Sequence, residues 1–308
     1  MMKRRHFYFV LGVVVAAAVF SAPLRALLDL SYHNDAYSQL VLIPLISAFL
    51  VYLERRKIFA HVEYCFRAGL PVVAVGIVGF CAGRAGLLRP DPVDHLALVI
   101  SSLLAVWLGE FICCYGLRAL RAASFPVLFL LMMIPVPDFL LNKIIEALQK
   151  GSTEVTYALL RLVGAPVLRQ GFVFSLPGFN VQVARECSGI RSSVALLIAS
   201  LLAGHFFLRS AWRKLSFSLM VIPIAITKNA IRIATISLLS AYVDPGFLTG
   251  KLHRDGGIPF SIIAVAMLVP LLWLLQRSET RGSGTPPPGT EATAPGEKLN
   301  AAELQAAR

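Results

Sequence analysis

The sequence predicts an all-α polytopic membrane protein, with about eight transmembrane helices and a small extracytoplasmic insertion of helix and β-ribbon. Hydrophobic residues make up 57% of the chain and charged residues only 15%, whereas a soluble domain carries about 25% charged residues. The apolar residues form blocks of about 18 to 24, the length that a helix needs to cross a bilayer. Spanning segments must be helical, because lipid cannot satisfy open backbone groups.

Eight apolar segments carry this prediction. They are the segments 7–24, 37–53, 68–88, 96–115, 124–141, 190–208, 215–241 and 258–276. The first follows the basic sequence MMKRRH and lacks a small-residue cleavage site, so we interpret it as a retained anchor rather than a signal peptide. In the third segment, Gly79, Gly83 and Gly86 place small residues on one helix face, which predicts close helix packing.

The basic residues predict the orientation of the chain. Lys and Arg cluster after every second segment, in ERRK, GLRALRAA, RSAWRK and QRSETR. By the positive-inside rule, both termini are then cytoplasmic and the protein is a multi-pass component of the cell inner membrane. The net charge is +12, but the Lys and Arg residues lie in short clusters between apolar blocks rather than in one basic patch, so no nucleic-acid partner is expected.

The chain is expected to divide into a transmembrane domain, 1–277, and a disordered cytoplasmic tail, 278–308. The tail contains GSGTPPPGTEATAPGEK, a composition typical of disorder. Within the domain, the segment from about 142 to 187 predicts the extracytoplasmic insertion.

Helical periodicity runs through residues 142–163, and Gly151 and Ser152 interrupt it. The pattern predicts two short interfacial helices, the second capped by Ser152 or Thr153.

Residues 171–183, GFVFSLPGFNVQV, alternate with a period of two on either side of Pro177-Gly178. This pattern predicts a two-stranded ribbon with a tight turn. Such a ribbon, resting on helix ends, would fix the position of Cys187, which follows it.

Among the five cysteines, Cys187 is the one expected to face outward. It has no outward partner for an intramolecular disulfide, so it is either incidental or a nucleophile. Arg185, Arg191 and the start of a helix would stabilise its thiolate. Glu186 would oppose this effect.

Arg232 and His253 are expected at the same depth as Cys187. Counting about 1.5 Å per residue from the inner basic clusters places all three about 28 to 35 Å out, at the outer boundary of the bilayer. They belong to successive spans, which favours proximity. The sequence therefore predicts a Cys/Arg/His cluster on the extracytoplasmic face. Lys228, one turn before Arg232, is interpreted as snorkelling to the interface.

With these segments in hand, the chain resembles the exosortase/archaeosortase family of membrane cysteine transpeptidases. The resemblance lies in YSQLVLIPLISAFLVYLERRK at 37–57, MIPVPDFL at 133–140, ECSGIRSS at 186–193, NAIRI at 229–233 and HRDGGIPF at 253–260. One departure is Gln39, where many relatives have histidine.

The resemblance implies a protein-sorting enzyme. Its partners would be exported proteins with a C-terminal signal (a motif such as Pro-Glu-Pro, a transmembrane helix and a basic cluster), the lipid bilayer and a lipid-linked acceptor. Cys187 would be the nucleophile that forms a thioester. Arg232 would stabilise the oxyanion and His253 would serve as acid and base, although the reverse assignment stays open. Ser188 and Asn229 flank these residues and would orient them or bind the substrate, or else form hydrogen bonds at helix ends.

The sequence leaves two other classes of function open. A transporter or an assembly component for an exported polysaccharide or lipid-linked sugar would also be a polytopic protein. Polar groups gathered at one membrane face favour surface chemistry instead. No cofactor or metal is expected, and the outer-loop residues are interpreted as solvated; these are His33, Asp35, Asp91, Asp94 and His95.

Overall fold

The computed structural model describes residues 2–86, 91–248 and 257–282. The helices are α1 (Met2–Val19), α2 (Ser21–His33), α3 (Leu42–Leu53), α4 (Arg55–Ile58), α5 (Phe66–Arg84), α6 (Pro92–Ala122), α7 (Ser124–Leu130), α8 (Asp138–Leu162), α9 (Ile190–Phe207), α10 (Ala211–Leu219), α11 (Val221–Tyr242) and α12 (Gly257–Gly282). The strands are β1 (Leu168–Gln170), β2 (Val173–Leu176) and β3 (Phe179–Gln182).

The protein is an all-α polytopic membrane protein, as predicted. Within the described ranges, six continuous helical segments are long and apolar enough to span a bilayer, and two bent helix pairs raise the number to eight. The predicted domain boundary at 277 falls inside α12. Most of the predicted tail, from 283 onward, lies outside the described residues.

Two predicted spans are broken rather than straight. α1 and α2 meet at an angle of 73°, within the predicted first span. The helical segment Ser124–Met133 is followed by α8 at an angle of 93°. The break in the predicted fifth span coincides with Pro135 and Pro137, because proline disfavours helical geometry in the residue before it and lacks a backbone donor.

Glycines bring α5 and α6 into close contact. A Cβ added to Gly69 would lie 2.3 Å from the Cys113 sulfur, and one added to Gly79 would lie 2.6 Å from the Ser102 hydroxyl. The predicted packing role is therefore confirmed for Gly79. It is wrong for Gly86, where an added Cβ would have no neighbour within 4 Å among the described residues.

The prediction of two short helices within 142–163 is wrong, because α8 is continuous across Gly151. At that point the helix lies close to α11, and an added Cβ would be 2.8 Å from Ile226 Cδ1. Thr153 does not cap a new helix. Its hydroxyl donates to the Gln149 carbonyl oxygen at 2.7 Å within the same helix, so this hydroxyl is satisfied without a break.

The predicted ribbon is present, with one strand more than expected. β1, β2 and β3 form an antiparallel sheet in chain order. The predicted turn at Gly178 separates β2 from β3, and Gly178 has a φ of 91°. β1 was missed because three residues are too few to show alternation. The sheet packs on α8 and α11 through a buried cluster of Leu160, Ala165, Phe174, Leu176, Val183, Ile233 and Ala234.

Candidate active site

The backbone of Cys187 lies in a short 3-10 turn, Arg185–Ser188, between the sheet and α9. The turn ends at Gly189, whose φ of 76° and ψ of 18° are left-handed. Glycine adopts this conformation without the steric cost that a Cβ brings. The backbone of Cys187 therefore lies two residues before a left-handed glycine at the N-terminus of α9.

Hydroxyl groups at the start of α9 hold the 3-10 turn and Gly189 in place. Ser192 Oγ donates to the Gly189 carbonyl oxygen at 2.9 Å, and Ser193 Oγ donates to the same oxygen at 2.8 Å. The Ser193 amide also donates to it, at 2.9 Å. Three donors thus converge on one carbonyl and fix the turn against α9.

Asn229, the first residue of NAIRI, packs directly against Gly189. A Cβ added to Gly189 would lie 3.1 Å from both Cγ and Oδ1 of Asn229. Asn229 is only 1% exposed, and its amide nitrogen donates to Ser152 Oγ on α8 at 3.1 Å. The structure therefore brings the cysteine motif, NAIRI and α8 together at one point.

Lys228 does not snorkel, contrary to the sequence interpretation. It is 3% exposed, and its ammonium donates to Ser192 Oγ. The side chain lies inside the protein because a hydroxyl of the cysteine motif receives it there. The sequence contains one signal for a buried Lys228, which is its position one turn before Arg232 on the same helix.

Arg232 lies one turn after Lys228 on α11, and its side chain is partly buried. The next two residues, Ile233 and Ala234, belong to the buried cluster beneath the sheet. The ribbon thus covers the helix segment that carries the arginine. His253 lies outside the described residues, so the described part of the site is built from the cysteine and arginine segments.

Ser188 and Asn229 are both almost fully buried, each at 1% exposure. Ser188 Oγ has no hydrogen-bond partner within the described ranges. Neither side chain faces an open surface. This burial favours a role in shaping the turn over direct contact with a substrate chain.

The early signature around residue 37 holds the start of α9. The Arg191 guanidinium pairs with Asp35 Oδ1 at 2.9 Å, and Gln39 Nε2 donates to the Arg191 carbonyl oxygen at 3.1 Å. Arg185 donates to Asn142 Oδ1. Sequence reasoning placed both arginines beside the thiol, but the Arg191 charge is engaged by a carboxylate.

The sheet is fastened to α8 just before the cysteine turn. Gln149 Nε2 donates to the Val183 carbonyl oxygen at 2.5 Å. The Arg169 guanidinium contacts both carboxylate oxygens of Glu154, at 2.6 and 2.7 Å. The sheet is thus tied to α8 through β1 and through Val183, the last residue of the predicted arm.

Two of the outer-loop residues act at helix ends. Asp94 Oδ1 accepts a hydrogen bond from the Asp138 amide at 3.0 Å, at the start of α8. His95 Nε2 lies 3.1 Å from the Gly83 carbonyl oxygen, near the end of α5.

Comparison with known protein families identifies the family of this chain. A model of the transmembrane exosortase family matches residues 31–271, well over half of the chain. The chain belongs to the transmembrane exosortase family. No curated protein and no solved structure matches it significantly.

The family match contains every motif segment that meets at the site. As an exosortase, the chain is a multi-pass membrane protein of a sorting transpeptidase or protease type. The family acts on exported proteins. The contacts of Gly189 with Asn229 and of Ser192 with Lys228 add the local geometry to this general assignment.

Proposed function

We propose that this exosortase is a cysteine transpeptidase that cleaves C-terminal sorting signals of exported proteins. The signal combines a Pro-Glu-Pro type motif, a transmembrane helix and a basic cluster. The observation that carries the proposal is the packing of Asn229 on Gly189. The cysteine turn lies beside the helix of Arg232 at this contact, which supports a shared reaction site.

The site is assigned to the extracytoplasmic face of the inner membrane, with both termini in the cytoplasm. Basic clusters between alternate spans support this orientation. The transmembrane domain of residues 1–277 carries the reaction, and residues 278–308 form the tail. The new carboxyl end of the substrate passes to an acceptor, for which a lipid-linked amine or hydroxyl is suitable.

The proposed reaction begins with Cys187 and His253. His253 takes the thiol proton, and the sulfur attacks the scissile carbonyl carbon. As the C–S bond forms, the carbonyl electron pair moves to oxygen, where Arg232 donates hydrogen bonds to the oxyanion.

Collapse of the oxyanion breaks the C–N bond and leaves a thioester on Cys187. The leaving amine takes the proton from His253. The acceptor then gives a proton to His253 and attacks the thioester, which releases the thiolate and completes the transfer. In the reverse assignment, His253 stabilises the oxyanion and Arg232 supports the thiolate.

The first test is Cys187→Ala, with Cys81→Ala as the matched control. Cys81 is a free, exposed cysteine of α5, remote in sequence from the site. A reporter protein that carries the tripartite signal is co-expressed, and trimming of its tail is followed on immunoblots. Cys187→Ala should abolish trimming at unchanged protein level, whereas Cys81→Ala should leave it intact. Trimming by Cys187→Ala would show that the nucleophile assignment is wrong.

A membrane-impermeant thiol reagent separates this proposal from its rivals. Labelling from outside should modify Cys187 and stop trimming. A transporter or an assembly component would keep its function after the same treatment.

A further inference from the structure

Among the described residues, Lys228 is a buried cation without a counter-ion. The side chain is 3% exposed, and an ammonium group has three donors. One donor reaches Ser192 Oγ. In the described part of the chain, no ion pair includes Lys228. The other two donors of this buried ammonium have no acceptor among the described residues.

This arrangement carries an electrostatic cost that a structural role does not explain. Removing a charge from water is expensive unless an opposite charge compensates it. Arg232, one turn further along α11, adds a like charge on the same helix face. A neutral donor would hold Ser192 equally well at a lower cost. The positive charge itself therefore calls for a function.

The contacts of Lys228 lead to the cysteine turn. Its partner Ser192 donates onward to the Gly189 carbonyl oxygen at 2.9 Å. Gly189 follows Cys187 by two residues, and Asn229, next to Lys228, packs on the same glycine. Lys228 is thus linked through Ser192 to the turn that carries Cys187. In the proposed reaction, negative charge develops at this turn, first on sulfur and then on the carbonyl oxygen.

We propose that Lys228 is a second cation of the site, which stabilises the negative charge that develops at the Cys187 turn during acyl transfer. The proposal rests on the proposed function and adds a residue to it. Ser192 holds the ammonium in place, and the protein interior strengthens its field because little water screens it. A preplaced charge acts without reorganisation during the reaction.

The decisive variant is Lys228→Met, which keeps the length of the side chain and removes its charge. A buried charge without a counter-ion costs free energy, and Lys228→Met removes that cost. We expect an unchanged or higher melting temperature together with a kcat for reporter trimming at least ten-fold lower and a nearly unchanged KM. A structural role predicts a lower melting temperature instead.

Ser193→Ala is the matched control. Ser193 donates to the same Gly189 oxygen at 2.8 Å, but it is not the residue that receives Lys228. Ser192 Oγ and the Ser193 amide still donate to that oxygen after the hydroxyl is lost, so kcat should change less than three-fold. Lys228→Arg keeps the charge and should retain more activity than Lys228→Met. Wild-type kcat in Lys228→Met overturns the proposal.

Alkylation of Cys187 tests the charge independently of sorting. Iodoacetate is anionic and iodoacetamide is neutral, so a nearby cation favours the first. The ratio of their rates at Cys187, measured by mass spectrometry, should fall at least three-fold in Lys228→Met and stay unchanged in Ser193→Ala. An unchanged ratio in Lys228→Met, together with a lowered melting temperature, leaves Lys228 a structural residue.

The two proposals fail in different ways. If Cys187→Ala still trims the reporter, the nucleophile is wrong, while the alkylation ratio still reports the field of Lys228. If neither reagent labels the unsubstituted protein, the open thiol required by the proposed function is contradicted. The role of Lys228 is then decided by kcat and melting temperature alone.

Discussion

Tyr37 donates its hydroxyl hydrogen to the Val136 carbonyl oxygen at 2.8 Å. This bond joins the early signature to the Pro-x-Pro segment, 99 positions away in the chain. On the other side, Ser31 Oγ donates to the Tyr37 carbonyl oxygen at 3.0 Å. Two segments that resemble family signatures are therefore one structural unit, and Asp35 in the same unit holds Arg191 at the start of α9.

Tyr37→Phe should destabilise the protein more than Asp35→Asn. Tyr37 is 3% exposed, and its loss leaves the Val136 carbonyl without its donor, at a cost of about 1–3 kcal/mol. The Asp35 carboxylate is 76% exposed and its partner Arg191 is 64% exposed. An exposed ion pair contributes about 0–1 kcal/mol. Unfolding titrations in detergent measure both, and an equal or reversed order would contradict the role of Tyr37.

Gly189→Ala should lower trimming far more than Gly164→Ala. Both glycines have positive φ, 76° at Gly189 and 72° at Gly164, so each substitution costs about 1–2 kcal/mol in backbone strain. An added Cβ would lie 3.1 Å from Asn229 at Gly189, whereas at Gly164 it would have no described atom within 4 Å.

The difference between these two variants therefore reports the contact with Asn229. Trimming should fall at least ten-fold in Gly189→Ala and less than two-fold in Gly164→Ala, measured with the same reporter. Equal losses would mean that backbone strain alone matters, and that the fit between the cysteine turn and NAIRI does not.

The spans and the ribbon turn were open to prediction because their signals are local. Apolar blocks of spanning length and the Pro177-Gly178 pair need no knowledge of distant residues. The same holds for Gly79, whose small size suits a helix contact. Each of these features is read from a single stretch of the chain.

The interior of the site was less predictable because its determinants are distant in sequence. The position of Lys228 depends on Ser192, 36 positions away. The continuity of α8 at Gly151 depends on the approach of Ile226. Arg191 was assigned to the thiol from its sequence position, whereas its partner Asp35 lies 156 positions earlier.

Gly69→Ala should destabilise the transmembrane domain, whereas Gly83→Ala should be almost neutral. The new methyl of Gly69→Ala meets the Cys113 sulfur at 2.3 Å and the Gly109 carbonyl oxygen at 2.7 Å, and a backbone atom cannot rotate away. Overpacking of this kind costs about 1–3 kcal/mol.

The methyl of Gly83→Ala approaches Val99 Cγ2 at 3.1 Å, a side-chain atom that can shift. The higher helix propensity of alanine, about 1 kcal/mol, offsets this small cost. Unfolding titrations of both variants check the difference. Equal stability would mean that α5 and α6 do not approach as closely as these distances require.

Arg232→Lys should lose most of the trimming activity, whereas Arg191→Lys should keep it. If Arg232 donates to the oxyanion, its planar fork gives paired hydrogen bonds that a lysine point charge does not reproduce. Arg191 instead forms an exposed ion pair with Asp35, for which any flexible cation suffices. Trimming should fall at least ten-fold in the first variant and less than two-fold in the second. If Arg232→Lys retains activity, the guanidinium does not donate to the oxyanion. Arg232 would then have a general electrostatic role beside the thiolate, as in the reverse assignment.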